Sequence, residues 1–141
     1  MTIQGGCYCG AIRYEAHGAP FHCTLCHCTD CRRVSGAPAV GWFSVATPNL
    51  RFTHGQPKEF RSSEKVTRSF CGDCGTMLTW HHDAYPDEVD VTSCSLDDPA
   101  LAAPQDHTFA ASRVRWLHIC DGLPAYPRLR SGGLDAQPQN E

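Results

Sequence analysis

Short apolar stretches separated by turns rich in Gly and Pro run along the chain, without the 3.6-residue periodicity of a long amphipathic helix. In residues 11–15, Ala-Ile-Arg-Tyr-Glu, apolar and polar side chains alternate as in a half-buried β-strand. Residues 97–101 can open one short helix, because Pro99 suits a first helical turn. The pattern predicts a mainly β fold with at most a short helix. Further strands are predicted at residues 40–45, 50–53, 66–70, 76–80, 89–92 and 114–119, and residues 21–25 also look extended.

The length of the chain indicates one domain over residues 1–130, followed by a short tail. A chain of 141 residues is long enough to bury a core of its own. Residues 131–141 have no apolar pattern, which predicts a disordered tail. The N-terminus has no basic region followed by an apolar stretch, and no apolar run approaches the roughly 20 residues that span a bilayer. We therefore expect a cytoplasmic protein.

Ten cysteines in a cytoplasmic protein indicate metal ligands; a disulfide framework is the alternative, which a secreted context would favour. A C-x-C or C-x-x-C unit on a tight turn presents two thiolates to one ion, at the Zn–S distance of about 2.3 Å. Seven of the cysteines form three such clusters. If Cys7, Cys9, Cys71 and Cys74 form a closed site, then Cys26, Cys28 and Cys31 form a second site with one open position. Closed zinc sites hold folds together, whereas open sites do chemistry.

The middle cluster suits the binding of a substrate thiol. Three thiolates leave a bound zinc ion with a net negative charge, so it is a weak Lewis acid, but a coordinated thiol is still held as the reactive thiolate. Cys23 leaves an alternative open, because it could join Cys26, Cys28 and Cys31 in a closed structural site. Residues three apart on a strand point to opposite faces, which favours the open site.

Other residues near the clusters have two interpretations each. His27 could carry a proton during the reaction or lie on the loop surface. The pair Arg32–Arg33 could bind substrate carboxylates, or offset the negative charge of the zinc site without any ligand. Cys94 and Cys120 are isolated and are expected in the core. The formal charge of −3 argues against a surface built mainly for polyanions such as nucleic acid.

Six motifs follow one another along the chain: Gly6-Cys7-Tyr8-Cys9-Gly10, Cys26-His27-Cys28-x-x-Cys31-Arg32, Ser35-Gly36-Ala37-Pro38, Arg68-x-Phe70-Cys71-x-x-Cys74-Gly75-Thr76, Ser95-Leu96-Asp97-Asp98-Pro99 and Asp121-Gly122-Leu123-Pro124. In this order they resemble the motifs of the glutathione-dependent formaldehyde-activating (centromere protein V/GFA) family. The resemblance implies a β-tent fold, in which short antiparallel sheets are stapled by zinc. It also implies two zinc ions per chain: a structural one at Cys7, Cys9, Cys71 and Cys74, and a catalytic one at Cys26, Cys28 and Cys31.

The activity that the resemblance implies is the addition of glutathione to formaldehyde, together with the reverse reaction of a carbon–sulfur lyase. We expect a substrate thiol to enter the open position of the zinc site at Cys26, Cys28 and Cys31 and to add to a small aldehyde, while water or His27 supplies a proton. Two departures from the family are Cys23 and the lack of a separate segment that would bind a tripeptide. The alternatives are a non-catalytic zinc module that recognises protein or nucleic acid, and a redox protein that uses the middle thiols. The sequence does not indicate an oligomeric state.

Overall fold

The computed structural model describes residues 1–130, and within them the chain forms ten short strands and one α-helix. The predicted tail, residues 131–141, lies outside the described residues. The helix, α1, spans Thr29–Ser35, and a one-turn 3-10 helix spans Pro99–Ala102. The strands are β1 Thr2–Gly6, β2 Arg13–His17, β3 Phe21–Cys26, β4 Val40–Ala46, β5 Leu50–His54, β6 Lys58–Arg61, β7 Val66–Phe70, β8 Met77–His82, β9 Glu88–Thr92 and β10 Asp106–Thr108.

The strands form two sheets. The smaller sheet has the order β1-β2-β5 and is antiparallel throughout. The larger sheet has the order β10-β3-β4-β9-β8-β7-β6. Its neighbours are antiparallel except β10 and β3, which run parallel at one edge. The prediction of a mainly β fold is thus confirmed, with one parallel pair added to the antiparallel sheets.

Side-chain alternation gives the larger sheet two different faces. In β4, Phe43 and Val45 are almost completely buried and pack in a core cluster with Ile3 and Tyr14 of the smaller sheet. Trp42 and Ser44 alternate with them and line a cavity on the opposite face. One face of the sheet therefore holds the core, while the other is free to form a site.

The predicted strands are present except one. Residues 114–119 form an irregular, partly exposed segment, and Trp116 in the middle is 72% exposed. The segment alternates only in part, since Trp116 and Leu117 are adjacent apolar residues, and the prediction of a strand at residues 114–119 is wrong. The helical turn predicted after Asp98 is confirmed, and the Asp98 side chain accepts a hydrogen bond from the Ala100 N–H. None of the helices in residues 1–130 has the length and apolar character needed to cross a membrane.

The helix α1 was not predicted, because it is only seven residues long and too short to show a helical periodicity in the sequence. Cys28 is its N-cap, with extended backbone angles and a sulfur that accepts the Cys31 N–H at 3.2 Å. Gly36 ends the helix in the left-handed region, at φ 67°, and donates its N–H to Arg32 O at 2.8 Å. The helix thus holds two of the three cysteines of the middle cluster on one rigid turn.

Candidate metal centres and the cavity beside them

Four sulfur atoms from two distant turns meet at one point. The Sγ atoms of Cys7, Cys9, Cys71 and Cys74 all lie within 4.8 Å of one another. Cys7 and Cys9 are 3.6 Å apart, and Cys9 and Cys71 are 3.8 Å apart. A tetrahedron of sulfurs about 2.3 Å from a zinc ion has edges of about 3.8 Å. These four residues therefore fit a closed tetrahedral thiolate site.

The two turns that carry these cysteines have matching backbones. Gly10 donates its N–H to Cys7 O at 3.2 Å, and Gly75 donates to Cys71 O at 2.9 Å. Both glycines have φ near +80°, a conformation that a side chain would strain. The first turn joins β1 to β2 and the second joins β7 to β8, so an ion here links the two sheets.

The middle cluster brings three further sulfurs together. Cys26 ends β3, Cys28 caps α1 and Cys31 lies in its first turn, and their Sγ atoms also lie within 4.8 Å of one another. All three side chains are buried. Hydrogen bonds from the thiols of Cys26 and Cys31 lower the pKa of Cys28 to about 3, so this group already favours thiolate. The residues fit a metal with three protein ligands.

Cys23 does not belong to this cluster. It packs with Phe43 in the core between the sheets, whereas Cys26 packs with Trp42 on the opposite face. A bulge in β3 between Phe21 and Thr24 leaves this separation of faces intact. Among the described residues, the middle cluster contains three sulfurs, those of Cys26, Cys28 and Cys31. The closed four-cysteine alternative is therefore wrong in this structure.

The three sulfurs open into a cavity of about 450 Å³ on the free face of the larger sheet. Trp42 and Trp80 lie beside the sulfurs and pack against the same cluster of side chains. One row of paired residues crosses the floor from β7 to β4, in the order Arg68, Trp80, Asp90 and Ser44. The remaining wall includes His22, Thr24, Tyr85, Glu88, Thr108, Phe109, Leu129 and Arg130. The cavity lining thus combines apolar side chains with charged ones.

The charged side chains of the cavity differ in whether an oppositely charged partner compensates them. Arg130 binds Asp106 through two hydrogen bonds, of 2.6 and 2.9 Å, so its charge is compensated. Ser44 donates to Asp90 at 2.5 Å, but burial still raises the pKa of Asp90 to about 7. Arg68 is 6% exposed, and its Nε donates to Ser62 Oγ at 3.1 Å. None of these residues was predicted to belong to the site.

His27 lies neither on the loop surface nor in the cavity lining. It is fully buried, and its Nε2 is 2.8 Å from Nδ1 of His107, whose Nε2 is 2.8 Å from a carboxylate oxygen of Asp121. The loop-surface interpretation is therefore wrong. The pKa of His27 is lowered, mainly by burial and to a smaller extent by the charge of His107. The chain of three groups ties the turn between Cys26 and Cys28 to the C-terminal segment.

The isolated cysteines and the arginine pair also differ from expectation. Cys94 and Cys120 are exposed, because Cys94 lies in a one-turn 3-10 helix and Cys120 in an irregular segment, neither at a buried strand position. Arg32 is half-buried and Arg33 is exposed, both in the last turn of α1, and neither lines the cavity. They are near the cysteines in sequence but face away from the space in which a substrate would lie.

Comparison with known proteins decides the family. The model of the glutathione-dependent formaldehyde-activating enzyme family, GFA, matches residues 2–112, which include all seven clustered cysteines. The chain belongs to the GFA family. The match ends before Asp121, so the C-terminal segment that contacts His107 lies beyond it.

Individual relatives of this GFA chain are distant. A Halomonas elongata protein, named provisionally as a glutathione-dependent formaldehyde-activating enzyme, is 22% identical over 130 residues, covering 84% of this chain and 82% of the relative. An uncharacterized lyase of Schizosaccharomyces pombe is 31% identical over 75 residues, or 53% of this chain and 54% of the relative. A Rhodobacter sphaeroides protein of known crystal structure has a TM-score of 0.58 at 22% identity, over 67% of this chain and 88% of that one. The last likeness concerns the fold alone.

Proposed function

We propose that this GFA protein is a zinc-dependent carbon–sulfur lyase that adds a thiol, glutathione or a similar molecule, to formaldehyde or another small aldehyde and catalyses the reverse. The observation that carries the proposal is the cluster of Cys26, Cys28 and Cys31 at one end of a cavity. Three converging sulfurs beside an open space are the arrangement of a metal site with a free position. Family membership supports the choice of glutathione and formaldehyde as the reactants.

The two cysteine sets have separate roles in this proposal. Cys7, Cys9, Cys71 and Cys74 would bind a structural zinc ion, since they close a site between the two sheets. Cys26, Cys28 and Cys31 would bind the catalytic ion. Zinc bound by these three residues would hold the substrate thiol as a thiolate, the nucleophilic form.

The protein's own groups position the reactants and exclude bulk water. In the addition, a sulfur–carbon bond forms, the carbonyl double bond breaks, and the thiol proton ends on the new hydroxyl. Trp42 and Trp80 provide an apolar wall beside the sulfurs, which limits competing hydration of the aldehyde. Water in the cavity, rather than His27, would carry the proton, because the His27 ring is buried against His107 and outside the cavity lining.

The test is exchange spectroscopy with 13C-labelled formaldehyde and glutathione, which measures formation and breakdown of the adduct at equilibrium. Uncatalysed addition is fast, so a barrier lowered by about 3 kcal/mol, roughly a hundredfold in rate, is the expected scale. The zinc-loaded protein should accelerate exchange, and Cys28→Ser should not. Cys94→Ser, which changes an exposed cysteine outside both clusters, is the control and should behave as the unchanged protein. No acceleration by protein that contains two zinc ions would instead favour a non-catalytic zinc module.

A further inference from the structure

The cavity contains a buried arginine that forms no ion pair among the described residues. Arg68 lies in the middle of β7, opposite Trp80 in the floor row, and is 6% exposed. Its Nε donates to Ser62 Oγ, a neutral group, at 3.1 Å. Its Nη1 is buried and has no hydrogen-bond partner among the described residues. A buried guanidinium in this state carries a large desolvation cost that an anionic ligand would offset.

The other arginine of the cavity shows what Arg68 lacks. Arg130 forms a two-pronged ion pair with Asp106, so its charge is satisfied within the protein. Arg68 forms no ion pair within 4.0 Å among residues 1–130. Asp30, on α1, has a pKa that burial and Cys28 raise and the charge of Arg68 lowers. Asp90 and Glu88 belong to β9, two strands away from Arg68 in the sheet.

We propose that Arg68 determines specificity by binding a carboxylate of the thiol substrate while the thiol is held at Cys26, Cys28 and Cys31. This inference rests on the function proposed above and assigns the substrate class to thiols that carry a carboxylate. A guanidinium matches a carboxylate through two parallel hydrogen bonds, a geometry that lysine lacks. Trp80 lies between Arg68 and Asp90 on the floor and contacts the side chains around the sulfurs, so it provides an apolar surface for the methylene groups of such a thiol.

A second explanation of Arg68 makes a different prediction. Its charge could serve only to offset the negative charge of the cysteine centre. In that case removal of the charge weakens the binding of every thiol, whatever the thiol carries at its other end. Binding of a carboxylate instead predicts that the loss is confined to thiols that have one. Thiols of similar size and different charge therefore separate the two explanations.

The experiment measures, by calorimetry, the binding of three thiols to zinc-loaded protein without aldehyde: 3-mercaptopropionate, 2-mercaptoethanol and cysteamine. We expect the unchanged protein to prefer 3-mercaptopropionate. Arg68→Met should weaken its binding about 10- to 100-fold, the scale of a charge-assisted hydrogen bond of 1.5–3 kcal/mol, and should leave 2-mercaptoethanol within about twofold. Arg68→Lys should recover part of the preference. Arg33→Met, which removes an exposed charge of α1 outside the cavity, should change none of the three affinities.

Equal losses for all three thiols in Arg68→Met, or an unchanged preference for 3-mercaptopropionate, would overturn the inference. If Arg68→Met is insoluble, Arg68→Lys decides, since it keeps the charge and removes the paired hydrogen bonds: a preference as strong as that of the unchanged protein counts against the proposal. Failure of this inference and failure of the proposed lyase function give different results. Charge-selective thiol binding without aldehyde addition supports Arg68 and refutes the lyase, whereas aldehyde addition with no role for Arg68 does the reverse.

Discussion

The carboxyl group of Asp90 lies on the floor of the cavity, where its ionisation should oppose folding. Burial raises its pKa from 3.8 to about 7, although Ser44 donates a hydrogen bond to it. When the folded-state pKa of an acid is raised, the native chain binds the proton more tightly than the unfolded chain. The stability that results is fully present below pH 3.8 and is lost as the pH rises through 7. The separation of the two pKa values, 3.8 and about 7, corresponds to at most about 4 kcal/mol.

Asp90→Asn removes this ionisation and keeps an oxygen that can accept the Ser44 hydroxyl. The stability advantage of the variant should grow by about 1.4 kcal/mol per pH unit from pH 5 to pH 7 and then level off. Between pH 5 and pH 8 the stability advantage of Asp90→Asn should grow by at most about 3 kcal/mol, or roughly 10 °C in melting temperature for a chain of this size. Comparison of the two proteins at each pH cancels the titration of the cysteines, which both contain.

The measurement is thermal and urea unfolding of zinc-saturated protein at four pH values between 5 and 8.5. Asp87→Asn, which removes an exposed carboxyl next to β9, controls for the loss of one negative charge. A stability difference that does not change with pH would refute the reasoning, since it would mean that Asp90 has the same pKa in the folded and unfolded chains. A variant less stable than the unchanged protein at pH 8 would show that the ionised carboxylate contributes to the fold.

Four further predictions concern the cysteines. Elemental analysis of freshly purified protein should find about two zinc ions per chain, and full loading at one ion would contradict the two-site proposal. Cys23→Ser should keep the full metal content, because its side chain lies in the core on the opposite face; loss of one ion from that variant would show that Cys23 is a ligand after all. Cys71→Ser should be unfolded or insoluble, since binding at a structural zinc is worth on the order of 10 kcal/mol and a domain has about 5–15 kcal/mol to lose. Cys28→Ser should stay folded with one ion, as melting and zinc content measured beside Cys71→Ser will show; equal collapse of both would make the middle site structural too.

Several properties follow from short stretches of sequence alone. The spacing of the cysteines and the glycines Gly10 and Gly75 after them specify two tight turns that each carry two cysteines, because the turn chemistry involves only neighbouring residues. Two-residue alternation in the same way predicts the strands and the opposite faces of Cys23 and Cys26. The family motifs add the pairing of distant clusters. These features depend on neighbouring residues or on the order of known motifs, so they can be predicted from a single sequence.

Other features depend on which strands become neighbours. Arg68, Trp80 and Asp90 meet on one row only because β7, β8 and β9 pair in a particular register. These residues are up to 22 positions apart, and nothing in the sequence predicts that they are neighbours in the fold. The sequence by itself therefore determined the two cysteine-bearing turns and seven of the ten strands. The tertiary structure decided the cavity and its charges, because contacts between remote residues depend on the packing of the whole chain.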